Sequence, residues 1–230
     1  MTEFIYTAHP LDTSGIPKAA TAIASAKPIL DDIEKVWKKG AVYNKYKVQT
    51  YSHVYANADG SSSKWFARIS IHGGGGDNIS WDLFVKGLLE NHTENETEYI
   101  FNMEKFDYFQ TERDDWTGVH VVFKVPMFMN PRDSPEYLLA TQPDPDIKEF
   151  YIISLPSTRK VYSGHSSARY ASIEHVKVLD DGKIKWTLAV TSDEKMALLP
   201  AFIQDYVFVK IVTEDVPTFL EWAIKKYGSD

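Results

Sequence analysis

The chain contains no cysteine. Disulfide bonds, thiolate metal ligands and cysteine nucleophiles are therefore excluded, and the composition fits a reducing compartment. An apolar run of about 20 residues, which a membrane helix requires, is also missing. The first residues do not form a basic segment followed by an apolar one, so they do not resemble a secretory signal. We expect a cytoplasmic protein with no integral membrane segment.

The chain also lacks an excess of positive charge. It has 25 lysines and arginines against 32 aspartates and glutamates, which gives a net charge of −7. Nucleic-acid phosphates are bound by basic surfaces, so nucleic acid is not an expected partner. An acidic protein is also not attracted strongly to an anionic membrane, although a local basic patch would still permit transient contact.

The order of the segments predicts the fold class. Eight strand-like segments lie between Tyr43 and Thr191, and amphipathic helical segments flank them. Short turns between consecutive strands favour an antiparallel sheet, and helices placed at the two ends indicate an α+β fold. No repeat or linker divides the chain, so we predict one domain over residues 17–230 after an irregular arm over residues 1–16. A chain of this size can hold a core and a cavity.

Local signals predict where the helices begin and end. Pro28 suits the first turn of an N-terminal helix and Gly40 suits its stop. Ser80 is typical of a helix N-cap. Pro217 is expected to divide the C-terminal helical region, because proline disfavours helix at the preceding residue, and Asp215 then caps the second piece.

A glycine run at residues 72–76 gives the sequence His-Gly-Gly-Gly-Gly. In lipase-like hydrolases such a turn offers backbone N–H groups to an oxyanion, but it works with a serine on a strand-to-helix elbow. The nearest candidate for such an elbow, Gly164-His165-Ser166-Ser167-Ala168, ends in alanine and precedes a predicted strand instead of a helix. We therefore favour a loop at the rim of the fold.

Two groups of histidines and acids invite comparison with metal sites. Neither has the helical spacing of a specific zinc motif, so solvated or capping roles are favoured and no metal or cofactor is expected. The groups are His92, Glu94, Glu96 and Glu98, and His165, Glu174 and His175.

Arg68 and His72 share one face of a predicted strand, opposite Trp65, Ala67 and Ile69. Either the two polar side chains face solvent or they enter a pocket. Because a buried arginine is costly unless it is paired, the solvent orientation is favoured, and the pocket orientation stays open.

Four stretches in this order resemble the START-like, helix-grip superfamily of lipid-transfer proteins. They are Trp65-Phe66-Ala67-Arg68, the proline corner from Phe123-Lys124-Val125-Pro126 to Pro131-Arg132-Asp133, the 169–191 hairpin, and Leu199-Pro200-Ala201-Phe202. The pattern over 65–72, with Trp81-Asp82-Leu83-Phe84 and Tyr99, is most similar to the uncharacterised fungal branch. The resemblance implies a curved antiparallel sheet around a C-terminal helix, with a tunnel for a sterol, phospholipid or other hydrophobic molecule.

The function that follows is binding of a hydrophobic small molecule, as a carrier or sensor. Strand parity and helix stripes predict a set of ligand-binding side chains: Val48, Thr50, Arg68, Phe123, Arg169, Trp186, Phe202 and Tyr206.

Two alternatives remain. The resemblance extends to cyclases and dehydratases of polyketide-like substrates, for which His120, His175, Glu174 and Arg169 are candidate groups, although no catalytic residue is assigned. The other alternative is an interaction module with a filled core.

Overall fold

The structure is a computed structural model that describes residues 3–56, 60–73, 79–124, 130–192 and 201–228, with only the backbone given for 201–208. One sheet dominates it. The order of the main strands is β1-β2-β3-β10-β9-β7-β6-β5-β4, and all neighbours on this path are antiparallel. The short β8 pairs with β6 in parallel. The strands are β1 Lys38–Tyr43, β2 Val48–Ala56, β3 Ser62–His72, β4 Met103–Phe109, β5 Thr117–Phe123, β6 Arg132–Thr141, β7 Glu149–Pro156, β8 Ser166–Ser167, β9 Tyr170–Val178 and β10 Ile184–Ser192.

Helices precede the sheet, interrupt it and follow it. They are α1 Ala19–Asp32, α2 Trp81–Phe84, which continues as a π-helix over Val85–Leu89, α3 His92–Tyr99 and α4 Ala201–Tyr227. A short 3-10 turn spans Thr13–Gly15. Within the described ranges, no helix combines the length and apolar character needed to cross a bilayer.

Both faces of the sheet are covered. On the outer face, α1 and the N-terminal residues pack through Tyr6, Ile16 and Ala22 against Trp65 and Ile153. On the inner face, α2, α3 and α4 pack on the opposite set of side chains. This inner cluster includes Val48, Leu83, Phe84, Val119, Phe150, Val176, Trp186, Val216, Phe219 and Leu220. The curved sheet and the C-terminal helix form the predicted α+β helix-grip fold.

Several local predictions are confirmed. The Ser80 side chain accepts a hydrogen bond from the Leu83 N–H at 3.3 Å and caps α2. The turn between β9 and β10 has Gly182 at φ +80°, a conformation that glycine adopts without strain.

The N-terminal helix differs from its prediction. Since α1 spans Ala19–Asp32, Pro28 lies inside it instead of in its first turn. The buried stripe consists of small residues, Ala22, Ser25 and Ala26 with Ile23, and small residues give a weak periodic signal. Gly40 does not end a helix but lies in β1, where a Cβ would meet the Thr50 Oγ1 atom at 2.5 Å. Because Gly40 has no Cβ, β1 and β2 can approach each other closely at this point.

The predicted division of the C-terminal helix is wrong, because α4 continues through Pro217. A proline has no N–H, so the carbonyl of Thr213, four residues earlier, loses its helical donor. The Asn44 side-chain amide replaces that donor, with 3.0 Å between Nδ2 and the Thr213 oxygen. Asn44 lies in the turn between β1 and β2 at φ +51°. The sheet thus supplies the hydrogen bond that the proline removes.

We predict that Asn44→Gly lowers the free energy of unfolding by about 1–2 kcal/mol, because it removes the part-buried hydrogen bond to Thr213 and an exposed one that Asn44 Oδ1 accepts from the Tyr46 N–H. Glycine keeps the left-handed backbone but cannot donate to Thr213. Chemical denaturation measures the effect. Lys47→Gly is the matched control, because Lys47 lies at φ +53° in the same turn. Equal stabilities of the two variants would contradict this account.

Candidate functional site

The strand register brings polar side chains together on the inner face of the sheet. Thr50 is in register with Arg68, Arg68 with Leu188, and Leu188 with Glu174. Side chains in register across a sheet lie on the same side. Trp186, two residues from Leu188, shares that side. We call Arg68, Glu174 and Trp186 the inner polar cluster.

Arg68 is fully enclosed in this cluster and only 1% exposed. Its guanidinium carbon lies 4.0 Å from the centroid of the Trp186 ring, a cation–π contact. Its NH2 atom lies 3.4 Å from Glu174 Oε1, which also accepts a 2.7 Å hydrogen bond from Trp186 Nε1. The Nε and NH1 atoms have no hydrogen-bond partner among the described residues.

The favoured solvent orientation of Arg68 and His72 is wrong, since His72 is also buried, at 3% exposure. That expectation assumed a sheet with one wet face. Trp65 and Ile69 belong to the outer core beneath α1, so the alternate positions of β3 point inward under the other helices.

Burial changes the protonation of the charged groups here. Desolvation lowers the pKa of Arg68, opposed by Glu174 and Asp215. The pKa of Asp215 is raised to about 7, chiefly by desolvation; Arg68 opposes this rise, and the neighbouring Glu174 and Glu96 contribute to it. Desolvation also raises the pKa of Glu136 to about 8. The interior therefore holds carboxyl groups that titrate near neutrality.

The predicted ligand-binding residues fall into three groups. Val48, Thr50, Arg68 and Trp186 are buried on the inner face. Phe123 is half-buried at the end of β5 and packs against the inner core. Phe202 and Tyr206 lie in the first turns of α4, and their side chains fall outside the described residues.

Arg169 lies just before β9 and is half-buried. Its neighbour Tyr170 lies in β9, four residues before Glu174, and its side chain is on the same side of the sheet as that of Glu174. Desolvation raises the pKa of Tyr170 far above its usual value, and Glu136 is the next cause. Whether any of the eight residues binds a ligand stays a prediction.

Sequence reasoning missed Glu96, Glu136 and Asp215. The sequence patterns favour a solvated or capping role for Glu96. They favour a role for Asp215 as the cap of the second piece of a divided helix. Charged residues are mostly exposed, so composition argues against burying them. The sequence offers only a weak signal for Glu136, which lies two residues before Leu138 in a strand, where side chains two positions apart share one side of the sheet.

The histidines proposed for an enzyme lie on the opposite side of the sheet. His175 neighbours Glu174 along β9 and therefore points the other way, where its Nε2 lies 2.7 Å from Glu149 Oε1. His120 lies 3.1 Å from Asp133 Oδ2, on the side of β5 opposite Val119 and Val121. Of the glycine run, residues 74–78 are outside the described part. No group of three or more metal-ligating side chains occurs among the described residues.

Known structures share this architecture at low sequence identity. Human StAR-related lipid transfer protein 5 has a TM-score of 0.69 at 13% identity, covering 90% of this chain and 95% of that one. Human STARD10 has a TM-score of 0.69 at 11% sequence identity, covering 92% of this chain and 81% of that one. A STAR-related lipid transfer protein fragment from Xanthomonas axonopodis has a TM-score of 0.57 at 11% sequence identity, covering 81% of this chain and 98% of that one. These likenesses show that the fold is that of START domains.

Sequence comparison gives a second result. Residues 65–223 match a family described as "Protein of unknown function (DUF3074)". No curated protein matches the sequence significantly. The matched range runs from Trp65 in β3 into the last turns of α4, so it contains the inner polar cluster and the interior carboxyl groups.

The raised pKa of Glu136 predicts a pH-dependent stability. An unfolded glutamate ionises near pH 4.5, whereas folded Glu136 holds its proton to about pH 8. The folded state then binds more protons between these values, so this group lowers stability as the pH rises across that window. Glu136→Gln removes the effect. The free energy of unfolding of the variant minus that of the unmodified chain should therefore increase from pH 5 to pH 8, by on the order of a few kcal/mol.

Denaturant unfolding at several pH values measures the difference. Glu112→Gln, at an exposed position in the turn between β4 and β5, is the control and should show no trend. A pH-independent difference for Glu136→Gln would mean that this carboxyl group is not buried as described.

Proposed function

We propose that this chain, which belongs to the DUF3074 family, binds a hydrophobic small molecule such as a lipid or sterol between the inner face of its sheet and α4, as a carrier or sensor. Two of its structural neighbours are lipid transfer proteins, which supports this proposal. Identities of 11–13% carry the fold but not the ligand, so the argument depends on the residues of this chain.

The observation that carries the proposal is the state of Arg68. A guanidinium has five N–H donors and no acceptor. Here it is buried, and its Nε and NH1 atoms have no partner among the described residues. Such unpaired donors are costly in an apolar interior. An oxygen of a bound molecule, such as a hydroxyl or carbonyl, would satisfy them and orient the apolar remainder along α4.

The exposure of neighbouring side chains supports an enclosed space. Glu96, Tyr170 and Asp215 are half-buried and not fully enclosed. Nevertheless, desolvation is the largest cause of the raised pKa of each of them. Surface that is accessible within dense protein is the property expected of side chains that line a cavity. Ligand sites are typically mostly apolar cavities with a few such polar groups.

The runner-up is a cyclase- or dehydratase-like enzyme in the same interior. Glu136 favours it, because a carboxylic acid with a pKa near 8 suits a general acid at neutral pH. It ranks second because the two histidines offered as bases, His120 and His175, pair with acids on the outer side of the sheet.

Three narrower points belong to the same proposal and are supported by the sequence alone. They are membership of the uncharacterised fungal branch of the START-like superfamily, a cytoplasmic location, and membrane contact that is at most transient.

The test is native mass spectrometry of the purified chain, followed by solvent extraction and uptake from a panel of sterol, phospholipid and fatty acid. We expect a stoichiometric hydrophobic molecule. The double variant Arg68→Met with Glu174→Gln removes both charges together, because removing one alone would leave the other unpaired. Glutamine can still accept from Trp186. We expect a folded protein that holds ligand about tenfold less tightly, the size of one charge-assisted hydrogen bond.

The matched control removes an exposed ion pair, Asp181 with Lys183, by Asp181→Asn and Lys183→Met. It should bind as the unmodified chain does. A protein that carries no molecule and takes up none from the panel would contradict the proposed function.

A further inference from the structure

The interior beneath α4 has more acids than bases. Four carboxyl groups from four elements influence one another there: Glu96 of α3, Glu136 of β6, Glu174 of β9 and Asp215 of α4. Glu96 interacts electrostatically with each of the other three. Among the described residues, the cationic groups that act on this set are the Arg68 guanidinium and the His92 imidazole. Two phenols, Tyr99 and Tyr170, complete the titratable groups.

Arg68 acts on two of these four carboxyl groups. It contacts Glu174 and also attracts Asp215. Among the described residues, the cationic group that contacts Glu96 is His92, with 3.4 Å between Nε2 and Oε1. The causes that change the pKa of Glu136 are desolvation, Tyr170 and Glu96, and they include no cationic side chain of the described ranges. In the described part of the chain, the Glu96–Glu136 side of the interior is therefore the side on which no guanidinium or ammonium acts.

Glu136 shows that this arrangement is not a closed hydrogen-bond network. The residue is 5% exposed, and its Oε2 atom has no hydrogen-bond partner among the described residues. A buried polar atom without a partner is destabilising, because it has lost its hydrogen bonds to water. Its side-chain hydrogen bond with Tyr170 requires an acceptor but not an acid, since the glutamine oxygen would accept it in similar space on the inner side of β6.

We propose that the Glu96–Glu136 side of the interior binds a positively charged nitrogen, so that the ligand is a hydrophobic molecule carrying an amine. This inference rests on the proposed function and deepens it. An ammonium group has three donors and no acceptor, which matches the Glu136 Oε2 atom once that carboxyl group is ionised. The same molecule would offer an oxygen to the Arg68 Nε and NH1 donors, as an amino alcohol or an amino ketone can. A fatty acid would instead add a fifth carboxyl group to an interior that already holds four.

Proton linkage gives the inference a distinct signature. Without a ligand, desolvation holds the pKa of Glu136 at about 8 and that of Asp215 at about 7. A bound cation favours the ionised carboxylate and lowers these values. At pH 7, binding of an amine therefore releases protons into the buffer, and its affinity rises between pH 6 and pH 8. A neutral ligand of the same shape has neither property.

The experiment uses three probes with one chain length: tetradecylamine, tetradecan-1-ol and tetradecanoate, each below its micellar concentration. Calorimetric titrations of the full chain at pH 7 are run in two buffers of different ionisation enthalpy, which counts the protons released. We expect the amine to bind at least about tenfold more tightly than the alcohol, as one charge-assisted contact would give, with proton release for the amine alone.

A variant locates the contact. Glu136→Gln should weaken tetradecylamine about tenfold and reduce its proton release, while tetradecan-1-ol binds within about twofold of its usual affinity. Glu112→Gln is the matched surface control. If the Glu136 variant does not fold, proton counting on the unmodified chain still decides the matter.

The outcomes separate the two proposals. Equal binding of amine and alcohol without proton release would overturn the amine site and leave hydrophobic-ligand binding intact. Tighter binding of tetradecanoate would overturn it too, in favour of an anionic ligand at Arg68. Failure of all three probes, together with an empty protein in the mass spectrum, would overturn both proposals.

Discussion

The burial of Arg68 against Trp186 and Glu174 is the interaction on which the interior depends. Removing an ionised guanidinium from water is costly, and only nearby carboxylates and an aromatic face offset that cost. Glu174 of β9 supplies the direct contact, while Asp215 of α4 adds electrostatic attraction. The charge in β3 thus links strands that are distant in sequence to the C-terminal helix, while the Arg68 Nε and NH1 atoms have no hydrogen-bond partner in the part of the chain that the structure describes.

The position of Asp215 requires that α4 be continuous. Pro217 would normally interrupt a helix, yet α4 extends over Ala201–Tyr227 because Asn44 donates to the carbonyl that the proline leaves free. Phe219 and Leu220, which follow the proline, are fully buried in the inner core. A single hydrogen bond from the β1–β2 turn therefore helps to place both the charged group and the apolar cover of the interior.

Strand alternation predicted which side chains share a side of the sheet, and therefore grouped Arg68 with His72 and included Trp186 among the predicted ligand-binding side chains. It could not tell that both sides are covered, because the small residues of α1 gave little periodic signal. The interior acids escaped prediction for a related reason: a glutamate in a sequence is typical of solvent-exposed surface, and only the fold shows that Glu136 lies inside. The ligand-binding roles of Phe202 and Tyr206, at the start of α4, stay predictions.

The most direct test of the central claim, that a hydrophobic molecule lies between the sheet and α4, is photo-crosslinking with a diazirine-bearing acyl or sterol probe, followed by mapping of the labelled residues. The account predicts labels on inner side chains such as Val176, Trp186 and Phe219, with competition by the unlabelled lipid. Labels confined to exposed apolar residues such as Phe101 and Ile211, without competition, would contradict it.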